Sequence, residues 1–293
     1  MSAVLDDMDS RPGSTTSLLR TLIGLYLREV GGWMSSTRLV GLMEAVGTPA
    51  PLTRTSLTRL RKRGVLNAEA RDGVAGYAVG ARARHMLERG DRRIHVPRAM
   101  GAEDPWCLVS FTVPESERGL RHQLRRRLHW IGCGTVGPGL WICPDYLRAE
   151  AEEILGDLGL RGAAVLFTTG TPQVQGSLRD AVAGWWNLDE LAAMHRGFLE
   201  SQDGVPDEPP ADGSLAFASY VRCIDSWRII PYVDPGLPAG CLPEGWPGAA
   251  SSARFLELRD AYRPAALAFV HASADGGVAA EAEAAGSPAG PRA

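Results

Sequence analysis

Residues Thr53–Leu66 read TRTSLTRLRKRGVL. At 100° per residue, Thr53, Leu57, Leu60 and Gly64 fall on one narrow stripe of a helix running from Thr53 to Arg63. Thr55, Thr58, Arg59 and Lys62 lie on the opposite side, with Arg54, Arg61 and Arg63 on the flanks. The segment thus combines a thin apolar footing with five cations in ten residues. Like charges so close along a helix repel one another. Phosphates neutralise them, and small hydroxyl residues near the helix start suit a nucleic-acid contact.

The neighbouring residues extend this reading. Upstream, Leu18, Leu19, Leu22, Ile23, Tyr26, Leu27 and Val30 have helical spacing over Ser17–Val30, and Gly31-Gly32 ends the run. A second helix begins near Ser35 or Ser36 and is expected to bury Leu39, Leu42, Met43 and Val46. Thr48-Pro49-Ala50-Pro51 then reads as a turn. Downstream, Val65-Leu66 and Tyr77-Ala78-Val79 read as two short strands around an Arg71-Asp72-Gly73 hairpin turn. Three helices followed by a hairpin predict a winged helix-turn-helix that binds DNA. The alternative is a helical bundle with an exposed basic ridge.

Roles follow from the helical wheel. Thr55, Ser56 and Arg59 are expected to point toward base edges, with Thr58 on the same DNA-facing side, since Arg grips guanine with two hydrogen bonds. Arg54, Arg61, Lys62, Arg63 and, at the wing, Arg71 suit phosphates, which set register and salt dependence.

Charge is distributed to match. Residues 15–98 carry 15 basic and 6 acidic side chains, whereas residues 171–293 carry 8 against 16, within a chain of formal net charge −3. One basic module is joined to an acidic remainder, a pattern that suggests a polyanion partner. At 293 residues the chain is too long for one core of ordinary size. No apolar run approaches the roughly 18–20 residues of a membrane helix, and Met1–Ser14 lacks the layout of a secretory signal. Cys107, Cys133, Cys143, Cys223 and Cys241 form no CxxC pair, so buried thiols in a reducing cytoplasm are expected.

In the middle segment, Trp106–Val113 is a strand, Glu115–Trp130 a helix, and Cys133–Val136 and Leu140–Cys143 two strands about Gly137-Pro138-Gly139. Tyr146–Leu158 is a helix and Ala163–Thr168 a strand, giving the βαββαβ order of a ferredoxin-like domain. That plan hosts many functions. Ferredoxin-like nucleases of the CRISPR-associated kind rely on an aspartate at the end of the first strand for metal, and Val113-Pro114-Glu115 supplies none. His129, Cys133 and Cys143 are soft ligands, but a filled core accounts for them better, and neither metal nor cofactor is expected.

Farther on, Ser177–Gln202, Leu215–Ile229 and Ser251–Val270 read as helices, with the proline-rich run 231–247 as an ordered loop packed on them. No nucleophile–base pair, phosphate loop or HExxH motif is present, so the chain is not expected to be an enzyme. The sequence therefore predicts an α+β protein in five parts. They are a disordered start (1–14), a winged helix with linker (15–98), a ferredoxin-like domain (99–170), a helical C-terminal domain (171–272) and a disordered tail (273–293).

Three stretches carry a resemblance: Thr53–Leu66 with Gly76–Ile94, then Trp106–Pro144 with its WIGCGTVGPGLWICP run, then Trp227–Trp246 (WRIIPYVDPGLPAGCLPEGW). Together they resemble the PaaX-like regulators, the phenylacetate-degradation repressor family, from about Ser17 to Val270. The resemblance implies a homodimeric repressor on double-stranded operator DNA, released by a small-molecule effector such as an aryl-acyl-coenzyme A thioester. Arg54 and Arg59 match the family's recognition-helix arginines; Trp227, Arg228, Pro231, Asp234 and Pro235 match its C-terminal signature. Such an effector needs cations and an apolar slot, for which Trp227, Arg228 and Tyr232 are the nominees. Where the family often carries a histidine and an acid before the signature aromatic, this chain has Asp225-Ser226, which implies a different ligand if that histidine binds effector.

Overall fold

The computed structural model describes residues 11–285. Residues 1–10 and 286–293, which hold much of the start and tail expected to be disordered, lie outside the described residues. The chain is α+β, with two antiparallel sheets among its helices. It divides into two compact units, each assembled from separated segments, where the sequence reading divided it into consecutive blocks. No helix among the described residues is long and apolar enough to cross a membrane.

Among the described residues, one unit comprises 11–88, Gly204–Ser226 and 255–285. Helix α1 (Thr15–Leu22) runs on into a π-helical turn (Ile23–Leu27) and buries Leu18, Leu19, Leu22, Ile23, Tyr26 and Leu27. Its start is held by Asp225, a buried carboxylate that accepts from the Gly13 amide (2.7 Å), Ser17 Oγ (2.6 Å) and Thr21 Oγ1 (2.8 Å). A negative charge at a helix N-terminus opposes the helix dipole and stabilises it. Asp225, the departure noted from the family pattern, thus anchors α1.

Strand β1 (Trp33–Ser35) leads into α2 (Ser36–Ala45), capped by Ser35, which accepts from the Arg38 amide. Leu39, Leu42, Met43 and Val46 are buried as their spacing requires. Helix α3 spans Ala50–Lys62. It begins three residues earlier than its periodicity indicated, because Pro51 lies in the first turn, where no intrahelical N–H is needed. Strands β2 (Leu66–Arg71) and β3 (Val74–Val79) form a hairpin whose Asp72 and Gly73 both have positive φ, as a tight two-residue turn demands. The sheet order is β1-β3-β2. Three-residue β1 has no period to read; it pairs Trp33 with Ala78 and lays its indole over Gly76, where an added Cβ would sit 2.4 Å from the ring.

The second unit comprises Arg89–Asp203 and Trp227–Arg254 among the described residues. It receives the end of α4 (Ala81–Ile94). Next come β4 (Trp106–Phe111), α5 (Arg118–Trp130), β5 (Gly134–Gly137), β6 (Leu140–Pro144), α6 (Arg148–Asp157) and β7 (Ala164–Thr169). The sheet order is β5-β6-β4-β7, antiparallel throughout. One face packs Cys107, Val109, Phe111 and Cys143 against Leu124, Leu128, Ile154 and Leu155 of the helices. Trp106 and Ile142, from the other face, join Val182, Trp186, Leu188, Leu191 and Leu237.

The stretch Ser177–Gln202 is two helices, α7 (Leu178–Trp185) and α8 (Leu188–Ser201), where the apolar spacing suggested one. The break has a physical cause. Trp186 is extended, donates its indole N–H to the Gly132 carbonyl (2.9 Å), and lies where any Cβ on Gly134 would come within 2.7 Å. Asn187 then caps α8 by accepting from the Glu190 amide. Helices α9 (Gly213–Trp227), α10 (Ile230–Val233) and α11 (Gly248–Ala285) complete the chain. Helix α11 continues past Val270 into the segment expected to be a tail.

Arg93 holds this unit together. Its Nε and Nη2 bond both oxygens of Glu150 (3.1 and 3.2 Å), Nη1 donates to the Pro231 carbonyl (2.9 Å), and Nη2 also donates to the Ile131 carbonyl (3.0 Å). One planar guanidinium therefore ties α4, α5, α6 and α10 together, which a lysine's single ammonium cannot do. Arg93→Ala leaves the carboxylate of Glu150 poorly compensated and should cost about 3–5 kcal/mol in urea unfolding followed by tryptophan fluorescence. A loss below about 1 kcal/mol, typical of an exposed ion pair, would contradict that role.

Candidate functional site

Two places concentrate polar chemistry, one in each unit. The first is the outer face of α3. Leu57 and Leu60 are buried, as is Thr53, so the helix is seated on the stripe its sequence shows. Arg54, Thr55, Thr58, Arg59, Arg61, Lys62 and Arg63 are all exposed. Among the described residues, none of the five cations is in an ion pair with a carboxylate of the chain. Arg59, Arg61 and Lys62 lie in the last turn, where their charge complements the helix dipole.

Ser56 corrects the sequence reading. It is buried, and its Oγ lies 3.3 Å from Thr16 Oγ1 of α1, so it faces the unit's interior and not a base edge. Thr55 and Thr58 donate their hydroxyl hydrogens to the Pro51 and Arg54 carbonyls, both at 3.0 Å. Their oxygens are left as acceptors, suited to an exocyclic amino group of adenine or cytosine. Arg71 is at the hairpin turn, but its Nε bonds Glu69 Oε1 at 2.8 Å and its guanidinium lies 5.5 Å from the Trp33 ring centre. It is positioned by these partners, with part of its charge already neutralised.

A groove of about 570 Å³ runs beside α3, where Ser36 and Thr37 at the start of α2 line the same wall as Arg54 and Thr58. Helical spacing alone marks Ser36 only as a helix start. Its hydroxyl, that of Thr37 and the Ser36 and Thr37 amides, left over by the Ser35 cap on Arg38, are further donors for an anion at this groove.

The second place is a cavity of about 290 Å³ in the other unit. Trp227 lines it, but its indole N–H is already given to the Ile94 carbonyl (3.0 Å), so it contributes an apolar wall. Arg228 and Tyr232, the other two effector nominees, are buried and do not line the cavity; Tyr232 lies beneath the Arg93 guanidinium. Arg92, Arg98, Tyr146, His195 and Asp234 line it instead.

His195 is buried between Ser251 (Nδ1 to Oγ, 2.5 Å) and Asp234 (Nε2 to Oδ2, 2.7 Å). The constellation resembles a nucleophilic triad only in composition. Ser251 is fully buried and donates its proton to the Gly248 carbonyl at 3.0 Å, so no hydroxyl is presented to a substrate. Chain separations of 39 and 56 residues kept these partners out of any motif.

His129 is exposed while Cys133 and Cys143 are buried, and no group of three or more ligands among the described residues is arranged to hold a metal. A hydrogen bond with Cys143, and then burial, raise the Cys107 thiol far above its ordinary pKa, which leaves it inert. After β4, Glu115 is exposed and bonded to Arg121 at 2.6 Å.

Profiles described as PaaX-like protein, PaaX protein central Cas2-like domain, and PaaX-like protein C-terminal domain match residues 14–83, 100–181 and 186–272. The transcriptional repressor PaaX of Escherichia coli (strain K12) is 28% identical over 269 residues, covering 88% of this chain and 84% of that protein. The solved structure of uncharacterized protein Rv0674 from Mycobacterium tuberculosis shares the fold, with a TM-score of 0.54 at 23% identity. The match covers 86% of this chain and 96% of that one.

Accessibility separates the two kinds of arginine. Phenylglyoxal should modify Arg54, Arg59, Arg61 and Arg63 rapidly and Arg93 slowly, as read by peptide mass spectrometry. Slow modification of the α3 arginines would show their face to be covered.

Proposed function

The chain belongs to the PaaX-like protein family, and from that membership we propose that it is a homodimeric, sequence-specific transcriptional repressor released from operator DNA by a small-molecule effector. The observation that carries the reading is the outer face of α3, with five cations that have no ion pair among the described residues and two threonine hydroxyls on a helix seated by two leucines. The three helices and the β1-β3-β2 hairpin sheet support a winged helix-turn-helix. The order β5-β6-β4-β7 supports a ferredoxin-like middle domain. The name of the Escherichia coli relative supports repression.

In this reading α3 enters the major groove. Arg59 reads a guanine edge, with Thr55 and Thr58 beside it as acceptors. Arg54, Arg61, Lys62 and Arg63 neutralise phosphates on either side, and Arg71 reaches the backbone from the wing. Two copies related by a two-fold axis present two such helices to a palindromic site. The alternative is a metal-dependent nuclease acting through the middle domain, and among the described residues no group of three or more carboxylate, His or Cys side chains is arranged to hold its metal.

Binding to duplexes from the chain's own upstream DNA, followed by fluorescence anisotropy, tests the assignment. Arg59→Ala should cost about 1–3 kcal/mol on the preferred site and relax its sequence preference. Lys62→Ala should lower the slope of log K against log salt by about one. Ser56→Ala should leave sequence preference unchanged. Equal losses for Arg59→Ala on every sequence would remove Arg59 from base reading, and duplex cleavage with Mg²⁺ that survives both substitutions would favour the nuclease.

A further inference from the structure

Helix α5 (Arg118–Trp130) carries five arginines, two histidines and no acid. Two of the arginines are committed to the fold. Arg121 bonds Glu115 at 2.6 Å and reaches the Val113 carbonyl, and Arg127 is buried with its Nη1 3.9 Å from Asp157 Oδ2. Arg126 has an interaction of its own. At 100° per residue, Arg118, His122, Arg125 and His129 fall within an arc of about 60°. All four are exposed, and among the described residues none of them is in an ion pair. Leu124 and Leu128 seat the helix on the sheet and turn this stripe outward.

The arrangement costs stability twice. Arg118 and Arg121 stand in the first turn, where the helix dipole disfavours a cation. Arg121 is also three residues from Arg118 and four from Arg125, spacings at which like charges repel. Helix α6 (Arg148–Asp157), packed on the same face of the sheet, is treated differently. Its Glu150 is engaged by Arg93, Glu152 by Arg148 and Arg161, and Asp157 by Arg127. Its remaining acid, Glu153, has an interaction too. The acidic helix is thus closed on itself within the unit and offers no open row of carboxylates to α5 of a second copy, whereas the outer stripe of α5 is left open.

Open positive charge of this kind fits a polyanion. From Arg118 to His129 the helix rises about 16 Å, roughly five base-pair steps of a duplex. Arginine and imidazole N–H groups donate to phosphate oxygens without reading sequence. No large apolar side chain of α5 is exposed, which sets it apart from helices that bury an apolar face in a lipid surface.

We propose that the Arg118–His122–Arg125–His129 stripe of α5 is a second duplex-binding surface, one that holds the sugar-phosphate backbone of DNA regardless of sequence. Its use in lengthening the contact with an operator rests on the repressor reading above; the phosphate contact itself does not.

Fluorescence anisotropy of the full chain on its preferred duplex and on a scrambled duplex of equal length, over a range of salt, tests the proposal. Arg118→Gln combined with Arg125→Gln, at exposed positions where glutamine keeps helix propensity, should lower the slope of log K against log salt by about two on both duplexes. Binding should weaken by the same factor on both, so the ratio of the two affinities is preserved, whereas Arg59→Ala changes that ratio. Glutamate at the same two positions should weaken binding further, with helicity by circular dichroism unchanged. The proposal is overturned if the wild-type chain has no affinity for the scrambled duplex at low salt, if neither double variant changes the slope, or if the loss is confined to the preferred duplex. A double variant that dissociates in sedimentation velocity while its salt slope stays unchanged also overturns it, and gives the stripe to a second copy. Failure of the two readings is separable. Duplex affinity that falls in the α5 variants but survives Arg59→Ala and Lys62→Ala keeps the stripe and refutes the role of α3; the opposite pattern refutes the stripe alone.

Discussion

Two leucines under a cationic helix set the terms for the rest of this chain. Burial of Leu57 and Leu60 contributes about 1.5–3 kcal/mol each, whereas like charges a helical turn apart cost a few tenths per pair. The seat therefore outweighs the repulsion, and α3 can hold Arg54, Arg59, Arg61, Lys62 and Arg63 in solvent with no acid among the described residues as an ion-pair partner. The supporting elements fix the seat in turn. Ser56 meets Thr16 of α1, and α1 is held at its start by Asp225 of α9. The cost of burying that carboxylate is offset by three donors, which is why its unit can tolerate a charge with almost no exposure.

The other unit solves a different problem with the same means. Segments distant in sequence converge on one guanidinium, Arg93, whose donors are satisfied by Glu150 and by two carbonyls. His195 similarly links α8 to the loop at Asp234 and to the start of α11 at Ser251. Around these saturated groups, Arg92 and Arg98 stand out as cations in a concave, partly apolar site. The contrast between satisfied and unsatisfied charge, more than the number of charges, marks both candidate surfaces.

Much of the fold was legible because local chemistry and global packing agree. Apolar spacing located the helices of the basic module at residues 15–98, Asp72-Gly73 located the hairpin turn, and the βαββαβ order followed from alternating strand and helix patterns. The exceptions have identifiable causes. Proline at a helix start resembles a turn in sequence, which hid the first residues of α3. Trp186 continues the apolar period of its neighbours, so the break it makes for the Gly132 carbonyl was invisible. Ser56 lies only about 40° from Leu60 on the helical wheel, and a small polar side chain at that angle can be buried when a hydroxyl partner waits for it. The cavity drew its residues from positions 92 to 252, and no spacing rule connects them.

If the outer face of α3 is the DNA-binding surface, ordering by a duplex should be felt there before anywhere else. Hydrogen–deuterium exchange of the full chain, with and without its preferred duplex, measures this directly. The account predicts added amide protection across α3 and the β2–β3 turn. Duplex binding that protects residues 99–170 and leaves α3 unchanged would contradict it.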